Sequence, residues 1–506
     1  MIHYMNSIIF GILQSYEKTL DRDADITYKN RWKMKNTKKI GLFVLIMFII
    51  GAIDSLRNMP AAAMFGPSLI FFFIAAAIAF LAPIALLSAE LSSYHPPEKN
   101  GVYYWIKEAF GNKTAFMGIW LQWINTAIWF PTILSFIAGG FAYLINPALV
   151  HSKVYVVTVI LVSFWSMTFL SLKNFKLSAG FASLCTLFGF VLPFCVMTGL
   201  LAVWLFGGHT PQIHVNFHTI MPGFSNINNW ISLTAIITAF LGMELAAVNV
   251  KDMKNPQKNY PIGVLISSGI ILLTMIFGCL AIAFVIPPHH ISLISGIFQT
   301  LTYYLGFFHL KWMVLVISAL IVFSSIGEMI SWIISPARGL QQAALTGTLP
   351  KFFTKNNQNG MPSNVLILQA VIVTVVCLAF TLFKSVNDIY WLLTDLSTEL
   401  YVLMYILMFL SALKLHYKHK AIVKPFQIPG GAYSKWILCL FGLISALIAL
   451  VIGFIPPSQL SLGGIWHYSF IFAVGMILLC LPAAWFLFQK TPKFSYTANQ
   501  KSVEKL

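Results

Sequence analysis

The sequence predicts an all-α membrane protein with twelve transmembrane helices, and three observations lead to this fold class. Of the 506 residues, 58% are hydrophobic and only 9% are charged, whereas soluble domains carry roughly 25% charged residues. Apolar runs of about 20 residues, long enough for a helix to cross the hydrocarbon core of a bilayer, recur along the chain. The basic residues fall on alternate connections between these runs.

The predicted spans follow one another through short connections. Backbone polar groups in lipid must find partners within their own segment, so each apolar run is expected to be helical. The expected spans are Ile40–Ala63, Leu69–Tyr94, Ala115–Ile145, Val154–Leu170, Ser178–Phe206, Ile231–Val250, Gly263–Ile286, Trp312–Ala344, Val365–Phe383, Ile389–Leu413, Trp436–Phe454 and His467–Phe488.

The connections are too short to hold an independent hydrophobic core. We therefore predict one transmembrane domain, residues 40–489, between a cytoplasmic N-terminal tail of residues 1–39 and a short cytoplasmic C-terminal tail of residues 490–506. The N-terminal tail shows no cleavable signal pattern. Translation from Met1 and translation from Met34 both remain open, because a basic stretch beginning at Met34 directly precedes the first span.

The net charge of +17 has two interpretations, nucleic-acid binding and membrane orientation. With a cytoplasmic N-terminus, all lysines and arginines but four belong to the cytoplasmic side; the exceptions are Lys153, Lys311, Lys384 and Arg57. This bias is the positive-inside pattern, which predicts an even number of spans with both termini in the cytoplasm. The expected partner is therefore the lipid bilayer of a bacterial inner membrane and not a nucleic acid.

Cysteine and histidine positions predict neither a metal site nor a cofactor. The six cysteines all lie in apolar spans without a short paired spacing, which is typical of small core residues. His209, His214 and His218 share one outer connection, but no cysteine or carboxylate completes a ligand set there.

Two spans combine helix-breaking and ionisable residues at membrane depth. The first span reads GAIDSLRNMP over residues 51–60, which includes Asp54 and Arg57, and the sixth places Gly242 two residues before Glu244. A charge at the bilayer centre costs ~3 kcal/mol or more, so such groups usually have a function. Because five helices separate the two interruptions, we predict an inverted five-plus-five repeat followed by helices 11 and 12. The alternative is that each interruption is only a packing kink.

Four short motifs occur in order along the chain. They are Gly101–Gly111 (GVYYWIKEAFG); Gly242-Met243-Glu244 with Lys254-Asn255-Pro256 and Tyr260-Pro261; Gly327–Trp332 running to Pro336–Gly339; and Lys424-Pro425-Phe426 with Ile428–Gly431. Together they resemble motifs of the amino-acid/polyamine/organocation superfamily. The eighth-helix motif, with Tyr401 and Tyr405, more narrowly resembles the bacterial glutamate/γ-aminobutyrate antiporter family, and the similarity covers Ile40 to Gln489.

The resemblance implies discontinuous first and sixth helices around a central amino-acid site. Glu328, Trp332 and Tyr405 match residues that the antiporter family uses for substrate recognition or transport. Two departures are visible. Arg57 stands where the family has a tyrosine, so the substrate is open, and Thr491–Leu506 has no histidine, so acid gating by a C-terminal plug is not expected.

The predicted site contains substrate-binding residues and gating residues, and no catalytic residue is predicted. Glu328 and Trp332 share a helix face, and Arg57 either neutralises Asp54 or binds a substrate carboxylate. The predicted substrate-binding residues are Ile53, Asp54, Ser55, Arg57, Phe240, Gly242, Glu328, Trp332, Tyr401 and Tyr405. The predicted proton-coupling or gating residues are Glu244 and Glu328. We expect Asp395 and Glu399 to face solvent in an outer vestibule, with an intramembrane position as the alternative.

The expected function is secondary transport of a small amino acid by alternating access, as an antiporter or with protons as the coupling ion. A proton-coupled symporter of another specificity and a transport-like amino-acid sensor are the alternatives. No spacing of a nucleophile and base, and no phosphate-binding motif, predicts an enzyme. The oligomeric state is open between monomer and homodimer.

Overall fold

The computed structural model describes residues 41–95, 100–173, 184–223, 227–383, 385–418, 424–457 and 464–488. The described residues from Gly41 onwards cluster as one compact unit. The predicted tails and the alternative start at Met34 lie outside the described residues. Within the described helices, a few side chains, including that of Glu328, are also outside the description.

The described part of the chain is all-helical, without a β-strand, and it contains eleven segments long and apolar enough to cross a membrane. We number them in chain order, reserving α8 for one further long helix. The eleven are α1 Leu42–Ala63, α2 Gly66–Ser93, α3 Asn112–Ile145, α4 Lys153–Leu172, α5 Leu184–Phe206, α6 Trp230–Ala247, α7 Pro256–Ala283, α9 Ser363–Phe380, α10 Val386–Lys418, α11 Gly431–Ile452 and α12 Ile465–Phe488.

The eighth predicted span corresponds to α8, a continuous helix from Trp312 to Leu345. Its apolar part among the described residues, Trp312–Ile326, is shorter than the other eleven segments. The polar residues after Ile326 interrupt the apolar run without interrupting the backbone helix. A count of twelve spans therefore stays a prediction.

The interruption predicted in the first span is present in α1. The α-helix ends at Ile53, and Asp54 and Ser55 adopt extended backbone angles before a 3-10 turn begins at Leu56. An α-helix then continues from Met59 to Ala63. The proline at position 60 suits this restart, because proline is tolerated in the first turn of a helix, where its missing N–H would have no partner.

The interruption predicted in the sixth span is also present. The α-helix Ile227–Phe240 ends before Gly242, and a 3-10 segment, Met243–Asp252, follows. Gly242 has a φ of +102°, a backbone angle that L-amino acids with a side chain rarely adopt. Glycine at this position therefore permits the break.

The long helices differ in how much of their surface is buried inside the protein. Most of α3 and α10 is buried within the protein, whereas α12 is largely exposed and apolar. In a lipid solvent an exposed apolar helix face carries no penalty, so α12 suits the periphery and α3 and α10 suit the interior. Polar side chains of α3 and α10 consequently face other helices.

Two further helices lie outside the predicted spans. Val102–Phe110 and Gly296–Phe307 each bury one apolar face, including Trp105 and Phe298. The indole N–H of Trp105 donates to the Asn100 side chain at 3.0 Å. These helices are too short to span a bilayer.

Candidate functional site

The restart of α1 leaves backbone donors available at membrane depth. The first backbone hydrogen bond of the second segment runs from the Asn58 N–H to the Ser55 carbonyl, at 3.0 Å. No side chain caps this segment. The N–H groups of Leu56 and Arg57 precede that first bond, and such amides at a helix start attract anions.

The break in α6 lies against the break in α1. A Cβ placed on Gly242 would lie 3.5 Å from Cη2 of Trp332 and 3.7 Å from Cγ1 of Ile53. Ile53 is the last residue before the α1 break, and Trp332 belongs to α8. Three of the predicted site residues therefore meet at one point, although 190 positions or so separate the two breaks along the chain.

Glu244 follows the α6 break and is buried, with 1% of its surface exposed. The Tyr401 hydroxyl donates to its Oε1 at 2.6 Å, and the Tyr405 hydroxyl donates to its Oε2. The Gln122 amide of α3 also approaches Oε1, at 3.4 Å. The Gly242 N–H donates to the Tyr405 oxygen at 2.9 Å, so one hydrogen-bonded network connects the α6 break to α10 and α3.

Arg57 is buried in a setting built by α3 and α10. Its guanidinium carbon lies 5.1 Å from the centre of the Trp129 ring, within the range of a cation–π contact. Its Nη1 donates to Thr132 at 2.9 Å and to Tyr390 at 3.4 Å, while its Nε has no partner. The Trp129 ring in turn lies 5.3 Å from the ring of Trp332.

Asp54 and Arg57 are not partners, although their spacing allowed mutual neutralisation. The Asp54 carboxylate accepts from the Thr274 hydroxyl of α7, and its Oδ1 has no partner. Arg57 instead donates to Thr132 of α3 and Tyr390 of α10. The extended backbone at Asp54 and Ser55 separates the two side chains, because residues three apart meet only on a continuous helix.

The remaining predicted residues have mixed surroundings. Phe240 is buried edge-on against Phe73, with 5.8 Å between ring centres. Ser55 is half-buried at the break. Tyr401 and Tyr405 are buried and bind Glu244, and the side chain of Glu328 lies outside the described residues.

Asp395 and Glu399 are buried, so the expectation of a solvent-facing outer vestibule was wrong. Their exposed fractions are 2% and 0%. The reason is packing that the helical pattern of α10 alone does not show: Tyr468 of α12 donates to Asp395, and Gly453 after α11 lies against Glu399.

Sequence reasoning missed five residues that surround the site. Each is a polar or aromatic residue inside an apolar span, which is a usable signal but one shared by many packing residues. They are Gln122, Trp129, Thr132, Thr274 and Tyr390. Their importance follows from contacts made across the bundle and not from local spacing.

A multi-helix membrane protein with two facing helix breaks and buried ionisable groups between them has the architecture of a carrier. A sequence profile described as amino acid permease matches residues 40–479. The chain belongs to the amino acid permease family, and this membership indicates a membrane transporter and not an enzyme.

Curated relatives agree with this assignment. The chain is 37% identical to an uncharacterized transporter of Legionella pneumophila, with 90% of this chain and 98% of the relative covered. It is 28% identical to a glutamate/gamma-aminobutyrate antiporter of Lactococcus lactis, with 88% and 90% covered. It is 25% identical to the cadaverine/lysine antiporter of Escherichia coli, with 74% and 82% covered.

Proposed function

We propose that this protein is an antiporter that exchanges an amino acid for a related amino acid or amine by alternating access. The observation that carries the proposal is the contact between the two helix breaks, where Gly242 lies against Ile53 and Trp332. Unpaired helix ends that meet at membrane depth supply polar groups for a zwitterion in a place where lipid supplies none. The antiporter names of several relatives support exchange.

In this proposal the substrate carboxylate binds at the restart of α1. The free N–H groups of Leu56 and Arg57 and the guanidinium of Arg57 all lie there. The Arg57 Nε is a buried donor without a partner, and a guanidinium suits a carboxylate because its donors form a planar fork. Trp129 and Trp332 would form an apolar wall beside the ligand.

The substrate ammonium group requires an acceptor on the other side of the break. Asp54 Oδ1 is a buried oxygen without a hydrogen-bond partner, so it suits an ammonium donor. Glu328 lies on the same helix as Trp332, four residues earlier in the chain. We propose both acids as acceptors, in keeping with the substrate-binding set predicted from the sequence.

We propose Glu244 as the gate, with protons as the coupling ion. Its two carboxylate oxygens accept from Tyr401 and Tyr405, and Tyr405 also accepts from the Gly242 N–H. A proton on Glu244 would remove one acceptor from this network and release α10 from the α6 break. Such a local charge change is able to bias a two-state element.

The buried packing of these groups also supports alternating access. Ile53, Asp54, Arg57 and Glu244 are all buried, so a ligand reaches them only when helices move. We further propose the inverted five-plus-five repeat, the single transmembrane domain of residues 40–489 and cytoplasmic termini in a bacterial inner membrane. In this orientation Lys153 and Lys311 would lie on the outer side of the membrane.

The test is exchange in proteoliposomes that contain the purified protein. Vesicles are loaded with unlabelled glutamate, γ-aminobutyrate, glutamine, arginine or leucine, and uptake of each labelled compound is measured with and without an internal substrate. An antiporter takes up label only with an internal substrate. Uptake into empty vesicles that requires an inward proton gradient would instead identify a symporter, and binding without uptake would identify a sensor.

Orientation is tested separately by labelling single cysteines in a variant whose six native cysteines are replaced by serine. His209→Cys and Lys351→Cys lie on connections that the positive-inside pattern assigns to opposite faces. In right-side-out vesicles, a membrane-impermeant maleimide should label only the variant at position 209. Labelling at position 351 in the same vesicles would contradict the proposed orientation.

A further inference from the structure

A second group of buried acids lies away from Glu244, where α10, α11 and α12 meet. Asp395 and Glu399 are one helical turn apart on α10. The Tyr468 hydroxyl of α12 donates to Asp395 Oδ2. Asp395 Oδ1 and both oxygens of Glu399 have no hydrogen-bond partner. A Cβ on Gly453 would lie 2.6 Å from Glu399 Oε1, so the glycine leaves room for this carboxyl group.

A small cavity lies against Asp395 of this pair. It is lined by Asn58 and Ala61 of α1, by Thr234, Ala235 and Thr238 of α6, and by Tyr390, Trp391, Thr394 and Asp395 of α10. The hydroxyls of Thr234 and Thr394 are buried without partners. Unsatisfied donors and acceptors along one cavity provide the polar contacts that a water molecule or a proton requires.

The charges around the pair do not compensate two carboxylates. Among the described residues, no lysine, arginine or histidine forms an ion pair with Asp395 or Glu399. Arg57 reaches Tyr390 on the cavity wall, but it donates to Tyr390 and Thr132. The other groups that face the pair are the phenol of Tyr468 and uncharged residues of α6 and α1. Two like charges one helical turn apart in this setting repel each other and lack solvation, so binding of a proton to the pair is favoured.

We propose that Asp395 and Glu399 together form a proton-binding site, distinct from Glu244 and loaded through the cavity between α1, α6 and α10. Binding of the proton follows from the geometry of the pair alone. Its coupling to exchange rests on the proposed function, because α10 also carries the residues that hold α6. Thr398 contacts Thr238 of α6 at 2.6 Å, and Tyr401 donates to Glu244.

The binding step is tested without transport, by infrared spectroscopy of the purified protein reconstituted in lipid. A protonated carboxyl group has a C=O stretching band separate from that of a carboxylate. We expect the parent to show this band at neutral pH, and Glu399→Gln and Asp395→Asn each to lose a pH-sensitive part of it. Removal of one acid of a coupled pair should also shift the pH at which the remaining carboxyl group is half protonated, by about one pH unit or more.

Glu108→Gln is the control. The Glu108 carboxylate is one-third exposed and lies 2.9 Å from His95 Nε2 and 3.9 Å from Lys418 Nζ, so its loss should leave the band unchanged and cost little stability. Glutamine closely resembles a protonated glutamate, so Glu399→Gln should also melt near the parent at pH 7. A band that neither acid variant alters would overturn the proposal, and Asp395→Asn decides the question if Glu399→Gln does not fold.

The coupling step is tested by the pH profile of exchange in proteoliposomes. With coupling, Glu399→Gln retains exchange, and its rate varies less with pH than that of the parent. An altered infrared band with an unaltered pH profile would keep the proton site and refute its coupling. If the parent protein shows no exchange, the proposed function is wrong, but the infrared evidence for the proton site is unaffected.

Discussion

The α6 break depends on one backbone angle, and Gly242→Ala tests that dependence. Space is available for the added methyl group, since its closest neighbours would be Leu245 Cδ1 at 3.2 Å and Trp332 Cη2 at 3.5 Å. The φ of +102° is the obstacle, because a residue with a Cβ held in such a region costs about 1–3 kcal/mol. The methyl group therefore penalises the broken conformation through the backbone and not through a clash.

A penalty of that size should weaken any function that requires the break by about 5- to 150-fold. We expect Gly242→Ala to reduce exchange in proteoliposomes within this range, with a lower melting temperature. The control is Gly269→Ala in α7, where a Cβ meets nothing within 4 Å and φ is not positive. Alanine is the better helix former by roughly 0.5–1 kcal/mol, so this control should melt no lower than the parent.

Two other outcomes for Gly242→Ala would change the interpretation of the α6 break. If Gly242→Ala melts and exchanges like the parent, the positive φ at position 242 is not required for the working conformation. If it folds normally and binds substrate as tightly as the parent but exchanges slowly, the break serves movement of the helices and not binding. Substrate binding measured by scintillation proximity separates these two results.

Three further predictions concern single side chains. Arg57→Ala should abolish uptake of acidic substrates while the protein still inserts, and unchanged acidic uptake would contradict carboxylate binding. Tyr405→Phe removes the hydroxyl that donates to Glu244 and accepts from the Gly242 N–H, so it should lower stability by about 1–3 kcal/mol and shift the pH profile of exchange. A profile like that of the parent would refute the role of Glu244 as the gate. Glu90→Gln should cost about 3–5 kcal/mol, because it removes the charge of the buried carboxylate that Lys424 and Lys435 both contact. Lys418→Ala, whose Nζ lies 3.9 Å from the Glu108 carboxylate on an exposed side, should cost under about 1 kcal/mol, and equal losses in thermal melts would contradict this ranking.

Both helix breaks were predictable because lipid penalises the residues that form them. Gly242 and Glu244 stand out in a span that is otherwise largely apolar, as do Asp54 and Arg57 in the first span. A bilayer offers these groups no solvent, so their presence alone indicates local irregular structure. The positions of the breaks in the structure, after Ile53 and Phe240, agree with that argument.

The partners of these residues were not predictable in the same way. Glu244 binds Tyr401 and Tyr405, which lie 157 and 161 positions later in the chain. The spacing of the two tyrosines placed them on one face of α10, but it did not indicate which helix that face meets. Asp54 illustrates the reverse case, because its nearest ionisable neighbour in sequence, Arg57, is not its partner.

The sequence by itself determined that this chain is a helical membrane protein with two weakened spans, because those properties depend on local composition against a uniform lipid solvent. Only the tertiary structure decided that the two breaks touch at Gly242, that Arg57 lies over Trp129, and that Asp395 and Glu399 are buried against α11 and α12. These outcomes depend on which helix faces pack together. In lipid every apolar face is equally well solvated, so hydropathy carries no information about that choice.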